Sequence, residues 1–380
     1  MHAYGHIIYY LDSLGIMTHS IYTAIEPLLL KILHSMPPES AHNAAIWGIK
    51  HTPFIPDNLI TQDISLSNLS TRVGNIKLSH PIGVAAGFDK NAQIYNKLLN
   101  FGFSFVEVGT VTPRAQSGNQ KPRLFRFPEY NSIVNRMGFN NDGMEKISYR
   151  LQKRDKNDKR IVGVNIGANK DSCNMIDDYL IALNKLWDHG DYFVLNISSP
   201  NTENLRKLQE YDNFLKLAEQ IMLRKRDLSK ETGKDRPIWV KITSDTTYEM
   251  QEAIAEICLI CNISAIIATN TTALRNDKYT QAINIKGGLS GELLFNASTN
   301  TLINMYKLTK GAIPIVASGG VLNATDAYEK ICCGASAVQM YTGLVYNGMS
   351  YVNDVLLELS QLLKTNGFNC LQDAIASKVM

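Results

Sequence analysis

The chain has 380 residues, 45% of them hydrophobic, and a formal net charge of only +3. Such a balance provides no long-range attraction for a polyanion, so nucleic acid is excluded as the default partner, and the apolar fraction is that of a globular protein with a sizeable core. Six cysteines (Cys173, Cys258, Cys261, Cys332, Cys333 and Cys370) are too few to staple so long a chain, and with no secretory signal in view a reducing cytoplasm is expected.

In chain order, the first elements are helical. "HIIYYLDSLGIM" and "SIYTAIEPLLLKILHSM" carry apolar residues at helical spacing, among them Ile21, Ile25, Leu28, Leu29, Ile32 and Met36, interrupted by Glu26, Lys31 and His34. Neither is apolar enough to span a bilayer or built like a signal peptide, so the pair packs on the main domain or lies in a membrane interface. By pattern alone, packing is the commoner outcome. "MPPES" then breaks the run, and Pro38 with Glu39 suits the opening turn of a helix through "AHNAAIWGIK".

From residue 80 the rhythm becomes strand and helix. Eight short β-rich runs begin at Pro81, Phe103, Arg160, Asp191, Pro237, Ser264, Pro314 and Ser336. They are apolar on both faces and alternate with periodic segments such as "NAQIYNKLLNFG", which predicts parallel strands joined by helices and favours a closed (β/α)8 TIM barrel. Two connections, Thr110 to Lys159 and Thr271 to Ile313, exceed a bare helix, and the first contains a candidate hairpin in "PRLFRFPEYNSIVNRMG". "CLIC", with Cys258 and Cys261, reads as small apolar residues on a helix, since no second pair completes a metal site.

Chemistry in such a barrel sits at the carboxyl ends of the strands. Here these ends read "AAGFDK", "VGTVTP", "NIGANK", "NISSPNT", "VKI", "ATNTT", "ASGG" and "MYTG". Gly319, Gly320 and Gly343 suit the phosphate site that barrels build after strands seven and eight, and "KGGLSG" adds a second glycine-rich approach. Asn135, Asn165, Asn196, Asn201 and Asn270 each offer donor and acceptor, matching a cyclic amide or imide. Lys90 and Lys241 stand among them as cations for a carboxylate or a developing anion, and no ligand set for zinc or magnesium accompanies them.

The ordered motifs "GVAAGFDKN", "EVGTVTPRAQSGNQKPRLFRF", "NRMGFNNDG", "VNIGANK", "NISSPNT", "GGLSG", "ASGGV" and "QMYTG" resemble dihydroorotate dehydrogenase, specifically its membrane-associated, quinone-reducing class, from about Ile21 to the last helix. The resemblance implies one FMN per chain, oxidation of dihydroorotate to orotate in pyrimidine synthesis, and reoxidation by a membrane quinone without a partner subunit. Ala85, Ala86, Gly87, Thr110, Asn165, Asn196, Lys241 and Thr269 would then line FMN, with Gly291, Gly320, Tyr341 and Thr342 around its phosphate end. Orotate would be held by Lys90, Asn135, Arg136, Met137, Gly138, Phe139, Asn196, Asn201, Asn270 and Thr271. Ser199 would be the base, relaying its proton through Thr202 beside Phe139; the soluble classes carry cysteine there. His42, Arg126 and Tyr341 match positions around the quinone head group.

By the same resemblance, residues 1–60 form a helical, membrane-associating segment with a quinone tunnel, and 61–380 the barrel. This raises the interface reading above simple packing and places the protein peripherally on the cytoplasmic face of the cell membrane, with no mitochondrial transit peptide read. Residues 1–19 extend beyond the usual start, with Met17 an alternative initiator. Glu203 and Asn204 stand where the family continues Pro-Gly in the active-site lid loop. Rival readings are another FMN barrel acting on a pyrimidine, a Schiff-base aldolase using Lys90 or Lys241, and a non-catalytic membrane-bound flavin scaffold.

Overall fold

Runs of apolar residues too short for helices and buried along their whole length dictate a sheet covered on both faces. The computed structural model describes residues 24–52, 66–155, 157–201, 205–275 and 284–379. Two helices come first, α1 (24–35) and α2 (Pro38–His51), the second opening on Pro38 as expected. A small antiparallel hairpin follows, β1 (Thr71–Val73) and β2 (Ile76–Leu78).

Eight strands close the barrel in the order β3 (Ile82–Val84), β4 (Phe105–Val111), β7 (Ile161–Ile166), β8 (Tyr192–Asn196), β9 (Ile238–Ile242), β10 (Ala265–Ala268), β12 (Ile315–Ser318) and β13 (Ala335–Met340). All are parallel and correspond to the eight runs read from the sequence. Between them lie β5 (Leu124–Phe127) and β6 (Ser132–Asn135), the hairpin read in the first long connection. From the second long connection β11 (Gly288–Gly291) returns to pair with β6, so both excursions form one three-stranded flap.

The remaining helices are α3 (Tyr95–Asn100), α4 (Met144–Leu151), α5 (Met175–Leu186), α6 (Tyr211–Thr232), α7 (Tyr248–Ile260), α8 (Phe295–Leu308), α9 (Ala324–Cys332), α10 (Thr342–Asn347), α11 (Tyr351–Thr365) and α12 (Leu371–Ala374). Local chemistry sets several starts: the side chains of Asn174, Thr247 and Asn323 accept backbone N–H groups at the first turns of α5, α7 and α9. Cys258 is buried in the packing of α7, with Cys261 at its end.

The amino-terminal end of the barrel is plugged. Val73, Ile76 and Leu78 of the first hairpin cluster with Phe105, Tyr192 and Trp239 inside it, and the Tyr192 and Trp239 rings stack 3.7 Å apart. A solid floor leaves the carboxyl end of the strands as the open one, and the flap and α1–α2 stand over it.

Candidate functional site

The strand ends converge on one cleft. Its amides are bound to each other and to neighbouring hydroxyls. Asn201 Nδ2 donates to Asn135 Oδ1 (3.1 Å), Asn270 Nδ2 to Ser198 Oγ (3.1 Å), and Asn196 Nδ2 to Thr110 Oγ1 (2.9 Å). Tyr179, fully buried on α5, donates to the Asn196 carbonyl (2.7 Å) and so fixes the end of β8. Pre-oriented amides of this kind present fixed donors and acceptors to a ligand without reorganising. Ser199 is buried at the same place, its Oγ accepting from the Asn201 N–H (3.3 Å).

Charge is layered around the cleft. Lys90 lines it and donates to the Gly87 carbonyl (2.7 Å); burial depresses its pKa to about 8, against the pull of Glu39 and Asp89. Behind the wall, Glu107 inside the barrel accepts from Asn165 Nδ2 (2.8 Å) and Gln339 Nε2 (2.6 Å). Burial raises the Glu107 pKa while Lys241 opposes the rise, and burial lowers that of Lys241 while Glu107 opposes the fall. Each ion thereby supports the charge of the other.

Glycines shape the opposite end. Gly320 and Gly291 lie at φ +83° and +92°, and a Cβ on them would stand 2.4 Å from Phe295 Cα and 2.2 Å from the Asn131 carbonyl oxygen. Only glycine fits both the conformation and the space. Thr342, opening α10, shares a hydrogen bond with Ser290 (3.0 Å) beside them. Backbone N–H groups at glycine turns and a helix start suit an oxyanion.

A second cavity of about 360 Å³, mostly apolar, lies under α1 and α2 and shares Leu124, Ile133 and Tyr341 with the cleft. His42, Phe88 and Tyr341 form an edge-to-face aromatic row between the two, with centroids 5.6 and 5.5 Å apart. Burial, helped by Lys90, lowers the His42 pKa to about 3 and so keeps the ring neutral. Arg126 donates to the carbonyls of Leu33, His34 and Met36, capping the end of α1.

Most of the residues singled out in the sequence meet here. Ala85, Ala86, Gly87, Lys90, Thr110, Asn135, Met137, Gly138, Phe139, Asn196, Ser199, Asn201, Thr269, Asn270, Thr271, Gly291, Gly320, Tyr341 and Thr342 line the cleft. His42 and Arg126 line the second cavity. Asn165 and Lys241 are buried near the ends of β7 and β9 and are not among the residues lining the cleft. The Arg136 side chain turns away, donating to the Pro122 carbonyl and covering the Phe125 ring. Thr202, Glu203, Asn204 and the segment before residue 24 lie outside the described residues. Glu107 and Gln339 were missed, although a glutamate inside "FVEVGTV" carries the same signal as Lys241 inside "IWVKI": a charge in a fully buried strand.

A closed parallel barrel whose strand ends gather into one polar cleft has the plan of a (β/α)8 enzyme. The model of the family described as dihydroorotate dehydrogenase matches residues 68–363. The chain is 39% identical over 353 residues to "Dihydroorotate dehydrogenase (quinone)" of Cereibacter sphaeroides, covering 93% of this chain and 97% of that one. It is 40% identical to the mitochondrial enzyme of that name from Mus musculus, covering 92% and 89%. The ligand-free dihydroorotate dehydrogenase of Eimeria tenella superposes with a TM-score of 0.83 at 36% identity, covering 90% of this chain and 99% of that one. The chain belongs to the dihydroorotate dehydrogenase family, on the quinone-type branch of these relatives.

Proposed function

We propose that this chain oxidises dihydroorotate to orotate in pyrimidine biosynthesis, with FMN in the cleft as hydride acceptor and a membrane quinone as the final oxidant. One observation carries the reading: Ser199, Lys90 and four asparagines meet in a cleft that adjoins, at Tyr341, an apolar cavity beneath the N-terminal helices. The residues present fit FMN. Gln339 lines the cleft, and among the described residues its buried Oε1 has no hydrogen-bond partner, as suits the floor of a polar ring. The Gly291 and Gly320 positions that a Cβ would fill suit a close-lying phosphate.

When bound, FMN supplies acceptance of hydride from C6 of dihydroorotate and delivery of the electrons to quinone. The protein supplies the rest. The Lys90 ammonium holds the substrate carboxylate, while Asn135, Asn196, Asn201 and Asn270 hold the imide edge. Ser199 Oγ takes the C5 proton; an alcohol is too weak a base alone, so the proton must pass onward, and Thr202 beside Phe139 is the assigned relay. Lys241, whose charge Glu107 supports against burial, would favour negative charge arising in the cleft.

Quinone would approach through the second cavity, past His42 and Arg126. Ile25, Leu28, Ile32 and Trp47 are exposed on α1 and α2, which supports peripheral seating of these helices on a membrane surface. Among the described residues no helix is long and apolar enough to cross a membrane.

The test is anaerobic. Dihydroorotate should bleach the flavin absorbance of the purified protein, and a short-chain quinone, but not fumarate, should restore it. Ser199→Ala should keep its flavin and lose bleaching by about 10²–10⁴-fold at neutral pH. No bleaching despite bound FMN would remove dihydroorotate as substrate, and an unchanged rate in Ser199→Ala would remove the assigned base.

A further inference from the structure

One cation has no part in the chemistry above. Lys330, on α9, is fully buried. Its ammonium donates to the Phe295 carbonyl (3.2 Å), Ser298 Oγ (2.7 Å) and Thr299 Oγ1 (2.7 Å), and lies 4.6 Å from the centroid of the Phe295 ring. All four contacts belong to the first turn of α8. The nearby carboxylates are engaged elsewhere: Asp326 accepts the Leu322 N–H (2.9 Å), and Glu329 pairs with Lys378. Among the described residues Lys330 has no ion pair. Burying an ammonium against neutral oxygens is costly, and burial holds its pKa down to about 7, with Cys333, Asp326 and Glu329 resisting.

The turn that receives this charge also backs the glycine cradle. Ser298 Oγ, which accepts from Lys330, is within hydrogen-bond reach of the Gly319 carbonyl as donor (2.9 Å), and Gly320 fits only because it has no Cβ against Phe295. Gly319 and Gly320 face the cleft. A single helical turn therefore separates the ammonium from the place where the phosphate of FMN would rest. In a dry interior a unit charge acts across such a layer with little screening.

We propose that Lys330 is a positioning residue for the phosphate end of the flavin: it holds the first turn of α8 against Gly319 and Gly320 and makes the cradle prefer a phosphate dianion to a neutral alcohol. This rests on the reading that FMN occupies the cleft. The titrating groups that face Lys330 or its neighbours come from four places. Asp326, Tyr328, Glu329, Cys332 and Cys333 come from α9 and its end, Lys378 from the C-terminal segment, Glu292 from the turn before α8, and Tyr351 and Asp354 from α11. The α8 turn offers only Phe295, Ser298 and Thr299, none of which titrates.

The experiment compares FMN with riboflavin, which shares the ring and ribityl chain and lacks the phosphate. The flavin-stripped full chain is titrated with each, following flavin fluorescence. In the unmodified protein FMN affinity should fall over about two pH units above neutrality, as Lys330 loses its proton, and riboflavin affinity should stay level; the phosphate's own second ionisation, near pH ~6, lies below that range. Lys330→Met should weaken FMN about tenfold, shift riboflavin by less than about twofold, and remove the pH trend. Groups away from the phosphate, Lys90 and Lys241 among them, cancel in the FMN-to-riboflavin ratio. An equal loss for both ligands would make Lys330 a packing residue and overturn the inference. So would an FMN-to-riboflavin ratio in the unmodified chain that is flat with pH, a result that needs no variant to fold. A chain that binds neither ligand would instead refute the flavin reading itself.

Discussion

On the proposed reading, Lys90 is a half-buried side chain that couples pH to substrate binding. Its ammonium lines the cleft, where it is available to a carboxylate, and burial has brought its pKa to about 8. The sign follows directly: below that value the ammonium is present, and above it the cation is lost. We expect KM for dihydroorotate to rise about tenfold for each pH unit above about 8, with kcat much less affected, because a group titrating in the free enzyme appears in kcat/KM. Lys90→Met should raise KM at neutral pH and leave it flat through that range. Steady-state rates at a series of pH values check both. Lys90 was legible in "GFDK" because a strand end in a barrel is where reacting groups stand. Lys330 was not, because "TDAYEKICCGA" reads as an ordinary amphipathic helix in which a lysine faces water.

Among the elements, α2 shows how the N-terminal segment is tied to the barrel. Its Glu39 meets Arg123, just before β5, at 2.9 Å, with the Arg123 side chain only 7% exposed. Burial works against ionisation of Glu39, but Arg123 and Lys121 outweigh it and its carboxyl stays below the usual range. A depressed carboxyl pKa contributes stability above its unfolded value and loses it as pH falls through the folded one. Glu39→Gln should therefore lower hydrogen-exchange protection across α2 by about ten- to a hundredfold at neutral pH, as removal of one partner leaves Arg123 uncompensated. Amides of β4 and β7 should keep their protection. Unchanged exchange in α2 would mean that apolar contact alone holds it. Several elements were readable in advance: α2 from Pro38, and the β5–β6 hairpin from a connection too long for a bare helix. The β1–β2 plug and β11 were not, since each is short and owes its strand state to a partner distant in sequence.

At the scale of the molecule, the barrel performs its chemistry at one end while α1 and α2 place an apolar face above that end. Leu28 and Trp47 are 61% and 66% exposed, more than a water-facing packing helix would leave open. Replacing both, Leu28→Glu with Trp47→Glu, should cut co-flotation with anionic lipid vesicles by about tenfold or more. Bleaching by dihydroorotate should remain, because neither residue lines the cleft. Retained flotation would locate the membrane contact elsewhere.

The sequence by itself determined the eight strands, their parallel sense and most of the polar residues at their ends. These signals are local: a strand buried on both faces is apolar throughout, and an amide or glycine directly after it has little structural reason to be there. Tertiary structure alone decided that Glu107 supports Lys241, that Arg136 turns outward, that two long connections meet as one flap, and that Lys330 is buried behind the glycine cradle. Each depends on which distant segments become neighbours, and no periodicity along the chain records that.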